Sequence, residues 1–392
     1  MTAFVDIVRF GLVAYMPSHA WSCHLLPTGP KTRGTLRLDQ GERGSRQRAE
    51  RRMAMQEHSS NPPIIRFAHP QVFASFLEQV GTPIQRLYSR AGLPVYSDDP
   101  KSFVTIKQGW AFFDSAARCV DPFVGWHVGR FFGDNGITRE VLKQIEGAPT
   151  LYRALHYFLQ LVSTEASHLE LGILERPDEI LFTTQYSTIK DWPGYSTSQA
   201  YQLEAYVELI RQYAGPDWAP REIGIEHPET PPVAQEHFPD TRIRTSQPMG
   251  YVTVPRSCLH LPPRAGPVER TEETGLDLAK EFDIVKTLDV LIEPHLPGGY
   301  PSQRLAASLF DTSVRTLARR LSESKVTYRE IVDGIRLRVA KRHLLDPDMR
   351  IIEVATAIGF SDPAHFSRMF RRLAGISPRE FRRVAGGIPL SR

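Results

Sequence analysis

The chain has 392 residues, 41% of them hydrophobic, which is enough for two or three domains with cores of their own. Its net charge of +4 hides a division: 18 Lys and Arg face 9 Asp and Glu from residue 302 onward, 21 face 30 over residues 62–301, and 9 face 5 over residues 1–61. No apolar run is long enough to predict a membrane span, and Cys23, Cys119 and Cys258 have neither zinc-site nor disulfide-framework spacing, as expected of a reduced, cytoplasmic protein.

Residues 1–52 show no periodicity beyond an apolar stretch, Ala3 to Met16, that Asp6 and Arg9 interrupt. Met53 or Met55 stands just ahead of patterned sequence, so residues 1–60 read as a disordered or mis-annotated extension, with translation expected to begin at one of those methionines. From about Pro70 to Leu171 the apolar spacing is helical. Val72, Phe73, Phe76, Leu77 and Val80 form one face, Ile106 to Cys119 carries a second, and Leu151 to Val162 a third. Gly81-Thr82-Pro83, Gly92-Leu93-Pro94 and Gly147-Ala148-Pro149 separate these helices. The aromatics of Trp110 to Phe113 and Tyr152 to Phe158 read as core packing rather than ligand lining.

The period then changes. Leu169 to Leu174 and Ile180 to Tyr186, joined by Arg176-Pro177-Asp178-Glu179, read as a hairpin. Gln199 to Tyr213 reads as a helix, and Glu222 to Glu226 and Gly250 to Val254 as strands around a Pro-rich turn region, Pro228 to Pro239. The histidines His127, His156, His168 and His227 are scattered, and no Gly-rich phosphate loop, G-x-S-x-G elbow or paired-acid motif occurs, so no catalytic residue, metal or cofactor is expected. The breakers from Leu261 to Pro267 end this mixed α and β body.

Beyond a helix expected over Phe282 to Ile292, the last ninety residues say nearly the same thing twice. At an offset of 49 residues Leu305-Ala306-Ala307-Ser308-Leu309 lies over Val354-Ala355-Thr356-Ala357-Ile358, and Leu317, Arg319 and Leu321 over Phe366, Arg368 and Phe370. In the second copy Ile351, Val354, Ala355 and Ile358 form an apolar stripe, Gly359 ends the helix, Asp362 caps the next and Pro363 takes its first position. Phe366, Met369, Phe370 and Leu373 are expected inward; Ala364, His365, Arg368 and Arg371 outward. In the first copy Ser313 is the cap, with Val314, Leu317 and Leu321 inward against Arg315, Arg319 and Ser322. Each copy is therefore a helix-turn-helix with a basic outer face, the arrangement of major-groove readers. Between the copies Tyr328 to Leu345 forms a helix of about 27 Å, a length that can hold two readers near one DNA turn apart.

The segment from about Phe282 to Arg383 resembles the DNA-binding domain of AraC/XylS-type bacterial transcription regulators. The resemblance is carried by Ile352, Val354-Ala355, Ile358-Gly359-Phe360-Ser361-Asp362, Phe366-Ser367-Arg368-Met369-Phe370-Arg371-Arg372, Gly375-Ile376-Ser377-Pro378 and Phe381-Arg382. The first copy departs from it at Phe310-Asp311, where the family has a glycine-containing turn. In order, size and pieces such as Gly136-Ile137 and Thr150-Leu151 with Ala154-Leu155, the acidic body resembles the ligand-sensing domain of the subgroup with ornithine-utilisation and virulence regulators.

The resemblance implies an α+β sensing or dimerisation domain over 61–262, a linker over 263–279, and an all-α domain over 280–385 in which a linker helix joins two helix-turn-helix units. It implies a transcription regulator, an activator and not an enzyme. Its partners would be double-stranded promoter DNA, RNA polymerase and a small-molecule effector, with a homodimer left open. The alternatives are an enzyme fused to a DNA-targeting module, for which neither Cys119 nor Cys258 has a nucleophile setting, and a DNA-binding protein whose body only oligomerises. On the regulator reading Arg315, Thr316 and Arg319, and in the second unit Ala364, His365 and Arg368, face base edges, each arginine able to take guanine O6 and N7 together. Arg320, Arg371 and Arg372 are placed for phosphates.

Overall fold

Two three-residue strands frame the first helices of the body. In the computed structural model residues 61–385 are described, apart from 96–98, 100, 135–144, 146–147, 187 and 265–282. The expected extension over 1–60, nearly all of the expected linker, and Gly136-Ile137 lie outside the described residues. Strand β1 (Ile64–Arg66) pairs antiparallel with β2 (Phe103–Thr105), Ile65 opposite Val104. Helices α1 (Ala68–Gln79) and α2 (Ile84–Ala91) lie between them in the chain, and α3 (Ile106–Cys119) and α4 (Val124–Asp134) follow. Thr105 starts α3 with a capping box: its hydroxyl accepts the Gln108 backbone N–H at 3.1 Å, and the Gln108 carboxamide accepts the Thr105 N–H at 3.0 Å. Strand β2 falls where a helical pattern is expected and β1 just ahead of Pro70, where that pattern begins; three residues are too few to display a period of two.

Helix α5 (Leu151–Leu161) precedes the expected hairpin, formed by β3 (Glu170–Glu175) and β4 (Glu179–Gln185) with Glu170 opposite Gln185. Helix α6 (Tyr195–Ala214) then crosses the body. Strands β5 (Glu222–Gly224), β6 (Arg242–Arg244) and β7 (Gly250–Pro255) complete a five-stranded sheet in the order β3-β4-β7-β5-β6. Pairs in it are antiparallel except β5 with β6. A parallel pair needs a crossover, and the Pro-rich stretch expected as turns supplies it through α7 (Pro232–His237), opened by Pro232 in the first turn. Strand β6 leaves no sequence signal because Arg242-Ile243-Arg244 is an edge with both arginines exposed. Trp110, Phe112 and Phe113 are fully buried as expected, but Tyr152 is exposed.

The C-terminal domain begins with α8 (Ile284–Ile292), capped by Asp283, and a 3₁₀ turn over Glu293–Gly298. Helices α9 (Gln303–Leu309), α10 (Val314–Glu323), α11 (Tyr328–Leu344), α12 (Ile351–Ala357), α13 (Pro363–Ala374) and α14 (Pro378–Ala385) follow. The first unit is α9 and α10, the second α12 and α13.

The register between the copies differs from the uniform offset expected. The left-handed residue that ends α9 is Asp311 at φ +48°, and the one that ends α12 is Gly359 at φ +77°. Their backbones make the same closing bonds, Thr312 N–H to Ala307 O and Phe360 N–H to Ala355 O, both at 2.9 Å. The first helices therefore correspond at 48 residues, which puts Ala306, Ala307 and Phe310 over Val354, Ala355 and Ile358, all buried. The recognition helices correspond at 49, as their caps Ser313 and Asp362 show. The second turn is one residue longer. Asp311 resolves the departure from the family turn, since a short polar residue tolerates the left-handed region. Gly359 has no such latitude: a Cβ there would lie 2.2 Å from Leu296 O and 2.6 Å from Gly299 O.

Helix α11 has 17 residues, about 26 Å. Its first turn is locked by a capping box between Thr327 and Glu330. Ile331, Val332, Ile335, Val339, Ala340 and Leu344 are buried in the domain core. Arg336 is buried too, its guanidinium 4.9 Å from the Tyr300 ring and 4.4 Å from the Phe360 ring while it donates to Gly359 O at 3.2 Å. On another side Arg338 reaches Asp289 and Glu293 at 2.8 and 2.7 Å, and Arg342 reaches Glu293 at 2.6 Å, tying α11 to α8. Burial alone would raise the Glu293 carboxyl, but the two guanidinium groups outweigh it and hold it below its ordinary value.

Gly359→Ala is expected to destabilise the C-terminal domain by about 2 kcal/mol or more, and Asp311→Gly to change it by less than ~1 kcal/mol, in urea unfolding followed by circular dichroism. By the same measurement Arg336→Ala costs about 2 kcal/mol or more, through its lost carbonyl bond and two ring contacts.

Candidate nucleic-acid interface

Both recognition helices begin on a side-chain cap, and that fixes which residues open onto solvent. The Ser313 hydroxyl accepts the Thr316 N–H at 3.1 Å and lies 2.9 Å from the Thr316 hydroxyl. The Asp362 carboxylate accepts the Ala364 N–H at 2.8 Å. With the first turns set, Leu317 and Leu321 in α10 and Phe366, Met369 and Phe370 in α13 are buried. Leu373, expected inward, is exposed, and Val314 is only partly buried.

The candidate base-reading side chains separate from that core. Arg315 and Arg319 are exposed on α10, with Thr316 half-buried beside the cap. Ala364, His365 and Arg368 are exposed on α13. Arg319 pairs with Glu323 at 2.9 Å, an exposed contact one turn along the helix that contributes ~0.5 kcal/mol or less and yields readily to a stronger anion. The His365 ring sits 3.7 Å from the Asp362 carboxylate.

The three arginines placed for phosphates are not alike. Arg371 is exposed on the last turns of α13. Arg372 pairs with Asp333 of α11 at 2.7 Å and so braces the second recognition helix against the linker helix. Arg320 is half-buried, 5.6 Å from the Phe310 ring, and donates to Asn61 at 3.0 Å.

Two residues that hold the interface together escape sequence reading. Arg336 connects α11 to the turn of the second unit, and Arg382 donates to Leu344 O at 3.1 Å and Met349 O at 2.5 Å, closing the C-terminal end of α11. The available signal for the first is that Arg336 falls four residues after Val332 and four before Ala340, on a line of the helix that is otherwise buried. The second lies among exposed arginines that look the same in sequence. Among the described residues no cluster of His, Cys, Asp and Glu is arranged to hold a metal, and no helix is long and apolar enough to cross a membrane.

Two family models match the chain in order. The one described as the arabinose-binding domain of AraC transcription regulator, N-terminal, covers residues 81–263, and the one described as a helix-turn-helix domain covers residues 306–384. The ornithine utilization regulator of Pseudomonas aeruginosa is 31% identical over 142 residues, which is 35% of this chain and 42% of that protein. The transcriptional activator NphR of a Rhodococcus species is 32% identical over 110 residues, 28% of this chain and 32% of its own. The HTH-type transcriptional regulator VqsM of Pseudomonas aeruginosa is 37% identical over 87 residues, 22% of this chain and 27% of its own. Each match thus spans less than half of the relative. The crystal structure of the transcriptional regulator CdpR from Pseudomonas aeruginosa aligns over 80% of this chain and 97% of its own at 18% identity, with a TM-score of 0.32. With a match to the arabinose-binding domain of AraC transcription regulators ahead of a match to a helix-turn-helix domain, the chain has the domain order of an AraC-type transcription regulator.

Proposed function

We propose that this protein is a sequence-specific DNA-binding regulator, acting as an activator, in which one monomer places α10 and α13 in two successive segments of major groove. The observation that carries the reading is the pair of side-chain-capped helices, each with a buried apolar face and an exposed polar one, in a domain whose charge opposes that of the body. Arg315, Thr316 and Arg319 read one segment, and Ala364, His365 and Arg368 the other, with Ala364 small enough to pack on a thymine methyl. Arg371 binds phosphate directly, while Arg320 and Arg372 exchange Asn61 and Asp333 for it. Because α11 is about 26 Å long and a DNA turn about 34 Å, both helices engage fully only if the DNA curves toward the protein.

The body, 61–262, is the sensing or dimerisation domain, the segment 263–279 its linker and 280–385 the reader. A small-molecule effector binds the body, and RNA polymerase is the partner through which activation occurs. A homodimer would place two such monomers on one promoter. The name of the Rhodococcus relative, a transcriptional activator, favours activation.

Arg319→Ala and Arg368→Ala are each expected to weaken binding to the cognate promoter by about 1 to 3 kcal/mol, roughly 5- to 150-fold, and to weaken binding to random DNA much less. Arg371→Ala weakens both alike and lowers the salt slope by about one. Fluorescence anisotropy on the two DNAs across a salt series checks both, and equal losses from Arg319→Ala or Arg368→Ala on the two DNAs would remove those residues from base readout.

A further inference from the structure

The β1–β2 ribbon buries apolar side chains on both faces, and the faces belong to different cores. Ile64 and Phe103 are buried with Leu288, Leu291 and the rest of the C-terminal core, while Ile65 and Val104 are buried in the helical core of the body. This is the alternation that a strand imposes, with successive side chains about 3.3 Å apart along the chain and pointing opposite ways. The far edge of β1 is bonded to the segment after α5: Arg66 N–H to Glu165 O at 2.8 Å, and Ser167 N–H to Ile64 O at 2.9 Å. Near the ribbon Lys107 pairs with Asp311 in the turn of the first unit at 2.9 Å, and Asn61 accepts from Arg320 in its recognition helix.

Behind Ile65 lies a cavity of about 70 Å³, several times the ~10–15 Å³ that one water needs. Ile65, Phe113, Phe158, Leu161, Tyr206 and Leu209 line it. The polar groups at its wall face one another, except the Tyr206 hydroxyl, which is buried without a hydrogen-bond partner among the described residues and leaves the occupant a single polar contact. Glu165 accepts from Arg66 at 2.9 Å and lies 3.5 Å from His69, whose other ring nitrogen is 3.1 Å from the Tyr201 hydroxyl. Gln202 accepts from Thr184 at 2.8 Å, and its amide is within 3.5 Å of Ser198 and Tyr186. A sugar or a charged ligand entering here would leave several of its own polar groups without partners. A carboxylate would in addition face Glu165. Burial alone would raise that carboxyl, but His69 and Arg66 outweigh it and keep it ionised.

We propose that this cavity is the effector site, that it takes a small uncharged apolar molecule or the apolar end of a larger one, and that the β1–β2 ribbon passes its occupancy to the first helix-turn-helix unit. The proposal rests on the regulator reading above. An occupant that displaces Ile65 or the Glu165–Ala166 wall moves β1, and with it Ile64, in the core that positions α9 and α10. Lys107 and Asn61 touch the first unit directly, whereas the second is reached through α11 and the 3₁₀ segment on which Gly359 packs, so occupancy acts first on the first reader.

The test uses the full chain with 1-hexanol, hexanoate and hexylamine, three probes of one chain length and different charge. Hexanol is expected to raise Tm by about 2 °C or more, and hexanoate and hexylamine at the same concentration by much less. Ala205→Leu, which fills the cavity wall, should abolish the hexanol shift while keeping a wild-type circular dichroism spectrum; if it fails to fold, the ranking of the three probes on the wild-type chain decides the ligand class. Hexanol should also change affinity for the cognate promoter about fivefold or more. Phe103→Leu should reduce that change to under about twofold with hexanol binding retained. A hexanol shift that survives Ala205→Leu, or charged probes that bind as well as hexanol, would overturn the site. Hexanol binding with unchanged promoter affinity would overturn the coupling. Absence of any sequence-specific DNA binding, with hexanol still bound, would overturn the regulator reading and leave the cavity assignment standing.

Discussion

The C-terminal domain depends on one helix being apolar on more than one side. A surface helix keeps a polar face for water, whereas α11 buries Ile331, Ile335 and Val339 along one line and Ala340 and Leu344 along another. It is thereby a wall that both units share, and their buried residues close into one core around it. Its charged side chains also tie it to its neighbours. Arg336 lies between two aromatic rings and a turn carbonyl, and Arg338 and Arg342 converge on Glu293. Because those partners belong to the turn of the second unit, to Tyr300 and to α8 with the 3₁₀ segment that continues it, rotation of the second unit or of α8 about α11 would break them. The spacing of the two readers is therefore a property of the packed domain and not of a flexible connection.

The features legible from sequence are those with a local cause. The caps at Ser313 and Asp362, Pro363 at the first helical position, the β3–β4 hairpin and the limits of α3 each follow from residues within one turn of one another. What escaped has causes distant in the chain. The ribbon of Ile64 to Arg66 and Phe103 to Thr105 exists because two segments some forty residues apart meet between two cores. The uniform offset between the copies failed for a different reason: laying Leu305 over Val354 matches apolar to apolar, and so conceals the slip that backbone conformation reveals at Asp311 and Gly359.

The candidate site divides in the same way. That Arg315, Arg319, Arg368 and Arg371 are exposed follows from helical periodicity. That Arg320 and Arg372 already have partners does not, because Asn61 and Asp333 lie 259 and 39 residues away. Phe113 and Phe158 show the limit of reading aromatic stretches as core: both pack in a core, and both also line the cavity. Residue type alone does not separate those roles.

The extra residue in the second turn gives the molecule a direction. Two identical units in tandem would present nearly the same surface twice, and a shifted register on DNA would cost little. Here one unit turns on Asp311 and carries arginines at its outer face, and the other turns on Gly359, leaning on the 3₁₀ segment, and carries alanine and histidine ahead of its arginine. No rotation within the monomer exchanges them. On the proposed reading such a pair distinguishes upstream from downstream on the duplex without needing a second subunit, and whatever surface lies beside the second unit faces one end of the promoter.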